Sequence, residues 1–166
     1  MLRRDRWRAD RVVDADGRLR PETTEVLRAA RDLPVAVATG HCDREAALRI
    51  VDEAVRLGVP RLLLTHATHP MSGFTPEDLT DLSHVPGLYV ELTALTLLLG
   101  HRDSRHLAEV VHAHPRVVFS SDLGQPDQPD VRQWLSLSAI WFREAGLTAR
   151  QTEAITRTNP SNLLAP

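Results

Sequence analysis

The chain has 166 residues, 42% of them apolar and 25% charged, with a formal net charge of −2. Those totals suit one globular domain with a core of its own, and give no electrostatic reason to expect nucleic acid or a membrane as partner. All 20 basic residues are arginine, which excludes a lysine ligand or Schiff base, and the single cysteine, Cys42, excludes an intrachain disulfide or a cysteine metal cluster.

Residues 1–10, MLRRDRWRAD, are charged and lack an apolar h-region, so they read as a disordered, solvated terminus or a segment that packs on a partner, with a phosphate-binding arm as the functional alternative, and not as a signal peptide. No apolar run approaches the roughly 20 residues a bilayer span needs. A cytoplasmic location is expected. A short strand is expected at Arg11–Val13, then a turn at Asp14–Gly17. Pro21 and Glu22 suit a first helical turn, because proline loses nothing there and a carboxylate suits the helix dipole. Val26, Leu27, Ala30 and Leu33 form that helix's apolar stripe.

The apolar run Val35–His41 follows as a strand. Asp43 is placed to cap a helix to about Leu57, Gly58 to take its left-handed end, and Pro60 to forbid continuation. A second strand, Arg61–His66, enters the loop His66–Phe74. Thr75, Pro76, Glu77 and Asp78 open a short helix. The strand Leu88–Thr93 and a helix at Ala94–Leu99 precede a helix capped by Asp103 or Ser104. The strand Arg116–Asp122 leads into a proline-rich loop, Ser120–Asp130. A helix from about Val131 to Ala145 carries Trp134, Leu135, Ile140, Trp141 and Phe142, and is expected to feed the core. Thr148 and Gln151 form a capping box, and Asn159 and Pro160 start a last short turn. Alternating strands and helices make an α/β domain with a parallel sheet.

The chemistry lies at the strand ends. His41, His66 and Glu91 are each 25 residues apart, about one strand-helix-strand repeat, and Asp122 ends the next strand. In a parallel sheet those ends share one edge, where ligands bind. Gly40 lets the backbone turn beside His41. A neutral imidazole there suits zinc, manganese or iron. His66 is the second candidate ligand. Asp122 is the third, and the candidate catalytic residue that takes a proton from attacking water. His69, Glu91, Ser121 and Gln125 are the candidate substrate contacts. Three of these have plainer readings: His69 packs beside Pro70, Glu91 pairs with an arginine, and Ser121, like Ser120, binds loop backbone. His112 and His114 form an H-x-H string at a helix end, before their strand, which puts them on the opposite rim as structural residues. His84, His101 and His106 are given no role, and Cys42 is weak evidence for a nucleophile.

The strings ATGH (Ala38–His41), a strand ending in Thr65–His66, SSDLGQ (Ser120–Gln125) and the closing TNPSNLLA (Thr158–Ala165) resemble the amidohydrolase superfamily of metal-dependent hydrolases, specifically an uncharacterised amidohydrolase-like family. The resemblance covers roughly residues 11–166. It implies a (β/α)8 TIM-like barrel with metal at its carboxyl end. His41 would match the strand-five ligand, His66 the strand-six ligand, and Asp122 the strand-eight ligand and proton acceptor. A full member is about twice as long, and its first strand supplies an H-x-H pair that this chain lacks. The expectation for 1–166 is therefore a single truncated domain: a partial barrel, about strands 4–8, with a parallel sheet.

Two functions follow from this reading. The first is a hydrolase using metal-activated water on a small-molecule amide, ester or lactone, with a divalent metal, zinc first. The second is a catalytically inactive half-barrel that needs a second copy or another chain to complete it. An unrelated open-sheet binding domain is the third possibility, and would be favoured if the four strand-end side chains diverged in space.

Overall fold

The computed structural model describes residues 11–165; the arginine-rich arm at 1–10 lies outside the described residues. The fold is mixed α/β, built on a four-stranded parallel sheet with the strands in chain order. The strands are β1 (Val37–Ala38), β2 (Leu62–Leu64), β3 (Leu88–Thr93) and β4 (Val117–Ser120). The helices are α1 (Pro21–Asp32), α2 (Arg44–Leu57), α3 (Pro76–Asp81), α4 (Ala94–Leu98), α5 (Ser104–Ala113), α6 (Val131–Glu144), α7 (Ala149–Glu153) and α8 (Asn159–Leu164), with a π-helical turn at Ala154–Thr158 between the last two. No helix among the described residues is long and apolar enough to cross a membrane.

Capping chemistry sets the helix boundaries. The Asp43 carboxylate accepts from Ala46 N–H at the start of α2, and Gly58 closes that helix with φ 75°. Thr75 and Asp78 cap α3 reciprocally, as do Thr148 and Gln151 for α7. These bonds satisfy backbone donors that would otherwise be orphaned at the helix start. Two sequence expectations need correction. Arg11–Val13 is not a strand of the sheet: Val13 makes only an isolated antiparallel bridge to Leu19, because the Asp14–Gly17 turn folds the chain straight back, with Asp14 accepting from Asp16 and Arg18 N–H. Nor does Asn159 begin a separate turn. Asn159 N–H donates to Ala154 O across the wide π turn, and α8 continues the helix through Pro160. The π turn sits where proline lacks the N–H that a regular helix would need.

Alternate residues of each strand face opposite sides. Leu62, Leu64, Leu88, Val90, Leu92, Val117 and Phe119 join the main core with the helices. Phe119 sits edge-on to Phe142 at 4.9 Å and stacks with Trp134 at 6.4 Å, so α6 does feed the core. Its Leu135 and Ile140 are exposed instead. The other sheet face carries Ala36, Leu63, Tyr89 and Val118, and only Leu163 of α8 joins that smaller cluster.

The amino-terminal rim is fastened by side chains bonding to main chain. Arg116 donates to the carbonyls of Leu88, Ser83 and Val85. Asn159 Nδ2 donates to the carbonyls of Pro115 and Val117, at 3.2 and 2.8 Å, tying the last helical stretch to β4. His114 is buried on this rim, accepting from Arg116 N–H. His112 bonds Ala108 O. The H-x-H string is thus held by its own helix and strand, far round the fold from the strand carboxyl ends.

Burial first, then the neighbouring Arg116, pushes the His114 imidazole down to about 4. The folded state keeps this histidine neutral, whereas the unfolded chain protonates it near pH 6.5. Unfolding free energy is therefore full above about pH 6.5 and falls on acidification toward pH 4. The expected loss is on the order of 3 kcal/mol at most. Urea midpoints at pH 7.5 and 4.5 measure it. His114→Asn, which keeps an acceptor for Arg116 N–H but cannot titrate, should flatten the slope; an unchanged slope would assign the pH dependence elsewhere.

Candidate metal and catalytic site

The parallel register brings the carboxyl ends of the four strands to one rim. β1 and β2 are joined there by a reciprocal threonine pair. Thr39 Oγ1 accepts from Thr65 N–H at 3.0 Å, and Thr65 Oγ1 accepts from Gly40 N–H at 3.2 Å. This fixes the chain just before His41 and just before His66. Gly40 has φ 70°, a left-handed turn glycine reaches without strain, and it swings His41 back over the rim. The His41 and His66 rings lie 5.0 Å apart at 30°.

His66 is the centre of the cluster. Its backbone has φ 47°, and that of Asp122 has φ 52°; among the described residues these are the non-glycine residues with positive φ. Left-handed backbone is sparsely populated, although histidine and aspartate tolerate it better than most residues. Strain of this kind concentrates at functional sites. Here both strained residues face each other: His66 Nε2 lies 3.7 Å from Asp122 Oδ2. On the other side of the ring, Nδ1 lies 3.2 Å from Glu91 Oε2. The same oxygen accepts from His66 N–H at 3.0 Å, and Glu91 Oε1 accepts from Ser120 Oγ at 2.9 Å. Glu91 is therefore occupied by His66 and Ser120, and among the described residues no arginine pairs with it.

His69 packs 6.4 Å from His66 and 5.3 Å, edge-on, from His101. Burial, then the neighbouring His101 and His66, hold the His69 imidazole below its ordinary range. Its Nδ1 accepts from Met71 N–H, so in the neutral ring Nε2 carries the proton and can donate. His101 was passed over in the sequence because it follows α4 in an exposed loop. The signal was there: that loop leaves the carboxyl end of β3, and such loops line the mouth of a parallel sheet. Ser121 Oγ faces Leu123 N–H, and Gln125 lies in an exposed turn where Gln128 accepts from its N–H. Among the described residues, neither hydrogen-bonds to the histidine cluster. Cys42 bonds weakly to Thr39 O, and burial pushes its thiol up, away from a reactive thiolate.

The cluster lies on an open rim, with His41 and Asp122 exposed. Among the described residues, no group of three or more His, Cys, Asp or Glu is arranged to hold a metal ion. The donor chemistry nonetheless fits one. Two donors sharing a zinc ion at about 2.0–2.2 Å each stand a little over 3 Å apart, close to the His66–Asp122 span. At 3.7 Å that span is too long for a direct hydrogen bond. The His41 ring stacks beside that of His66, with 5.0 Å between centroids.

The profile of a family of unknown function, DUF6282, matches residues 3–91. The chain belongs to this family. The match runs through β1 and β2 and ends inside β3 at Glu91, so it takes in His41, His66, His69 and Glu91 and stops short of Asp122. No curated protein and no solved structure matches the chain.

The paired strain at His66 and Asp122 generates a test. Asp122→Gly removes a carboxylate but relieves a left-handed backbone, worth about 1 kcal/mol against the extra chain entropy of glycine. The thermal midpoint should stay level or rise by a few degrees. A fall of more than about 5 °C would make the Asp122 side chain a structural prop.

Proposed function

We propose that the chain forms part of a (β/α)8 barrel of the amidohydrolase type, about strands 4–8, and is a metal-dependent hydrolase of a small amide, ester or lactone in the cytoplasm. The observation that carries this reading is the His66 ring, with Nδ1 3.2 Å from Glu91 and Nε2 3.7 Å from Asp122. Ligating histidines commonly have one nitrogen turned to a carboxylate and the other free for the ion. His41, His66 and Asp122 would hold a divalent cation, zinc by preference, with manganese or iron as alternatives. Bound there, the cation supplies Lewis acidity and lowers the pKa of water toward ~7.

The remaining work falls to side chains. Asp122 Oδ2, partly exposed to solvent, accepts the proton of the attacking water and returns it to the leaving group. His69, neutral and donating through Nε2, polarises the substrate carbonyl, and His101 supports its ring edge-on. Ser121 and Gln125 lie on the loop that a substrate would cross. Purified protein should carry near-stoichiometric metal, and His66→Ala should lose it, by elemental analysis of the same preparation. Wild-type protein that is metal-free and takes up no zinc would overturn the reading.

A second reading rests on a separate observation. Among the described residues no strand pairs with the outer edge of β1. Beside that edge runs a cleft of about 460 Å³, lined by Val26 and Leu27 of α1 and by Val37, Ala38 and Thr39. Open parallel edges beside apolar surface invite pairing. In this reading the chain is an inactive half that completes its barrel with a second copy or another chain. Light scattering should then give a mass of at least twice the 18.5 kDa chain; a monomer at all concentrations would exclude self-completion.

A further inference from the structure

We infer that Glu91 is the positioning residue of the site: one carboxylate fixes the backbone turn at His66, the tautomer of its ring and the end of β4. This rests on the metal reading above and adds to it the group that orients the central ligand. Oε2 accepts from His66 N–H at 3.0 Å, which holds the left-handed turn of that residue in place. The same oxygen stands 3.2 Å from His66 Nδ1. Nδ1 is buried and has no well-angled hydrogen bond of its own, so the carboxylate beside it sets which nitrogen of the neutral ring carries the hydrogen. A lone pair on Nδ1 would face a negative oxygen and repel it; a proton there is attracted. Glu91 therefore selects the Nδ1–H tautomer and leaves the Nε2 lone pair toward Asp122, as a ligand needs. Oε1, held by Ser120 Oγ at 2.9 Å, stops the carboxylate from rotating away. Glu91 and Ser120 lie on adjacent paired strands, so the clamp spans the ends of β2, β3 and β4.

Nothing in this role brings Glu91 into contact with substrate. Among the described residues Glu91, with a side chain only 15% exposed, pairs with no arginine; two donors, His66 N–H and Ser120 Oγ, face its oxygens instead.

Two measurements test the proposal. Long-range proton–nitrogen NMR of the metal-free protein near pH 8, with the His66 signals identified by their loss in His66→Ala, reads the tautomer directly. Wild-type His66 should be protonated at Nδ1; protonation at Nε2 overturns the proposal. Zinc titration calorimetry then compares wild type with Glu91→Ala, with circular dichroism confirming the fold. Affinity should fall about 10- to 100-fold, and the His66 signals should shift toward the Nε2–H form. Affinity within twofold of wild type would reduce Glu91 to a loop prop and overturn the proposal. Wild-type protein that binds no zinc would sink the metal reading, and the tautomer would then decide the role of Glu91 by itself.

Discussion

Parallel pairing constrains everything at this rim. In a parallel sheet each strand must return to the same starting edge, so the residues that leave the strands are delivered to one side whatever the intervening helices do. The register pairs Leu64 with Val90, and Glu91 with Val118 one step further on. Chain segments that are 25 residues apart thereby arrive within hydrogen-bond reach. The threonine pair between β1 and β2 and the Glu91 carboxylate between β2, β3 and β4 then lock the strand ends at side-chain resolution. Slipping a single strand by one residue would turn Glu91 into the helix-facing core, where an unpaired carboxylate is costly.

The fold places rigidity and strain in different parts of the molecule. Buried aliphatic side chains, helix caps and the Arg116 and Asn159 bonds hold the amino-terminal rim and the helix layer. The opposite rim carries the left-handed residues, four histidines and the exposed carboxylate of Asp122. Stable packing below lets a few residues above adopt conformations that would not persist alone. Such a division is familiar in α/β enzymes, where the amino-terminal end of the sheet secures the fold and the other end does the chemistry.

Much of the scaffold was legible because its signals are local. Asp43, Gly58, Thr75 and Thr148 mark helix ends through bonds that span three or four residues, and the strand Leu88–Thr93 stands as read. The ends of the sheet were less legible. Val35 and Ala36 look like strand, but among the described residues β1 pairs on one side only and shortens to Val37–Ala38. Pro160 looked like a start, because the π turn that accommodates it has no marker in the sequence. At the site, spacing placed His41, His66, Glu91 and Asp122 on one rim. It could not give the job of Glu91, which depends on a backbone N–H from one neighbouring strand and a hydroxyl from the other. His101 could be placed at the mouth by the position of its loop after β3, but its contact with His69 depends on how that loop folds after α4.

Two imidazoles and one carboxylate are proposed to serve a single cation. Anomalous scattering at the zinc edge from crystals of zinc-loaded protein measures this directly. The expected result is one peak at about 2.0–2.2 Å from both His66 Nε2 and Asp122, with His41 as the third ligand. A peak on His112 or His114, or none while His41, His66 and Asp122 stay apart, would contradict it.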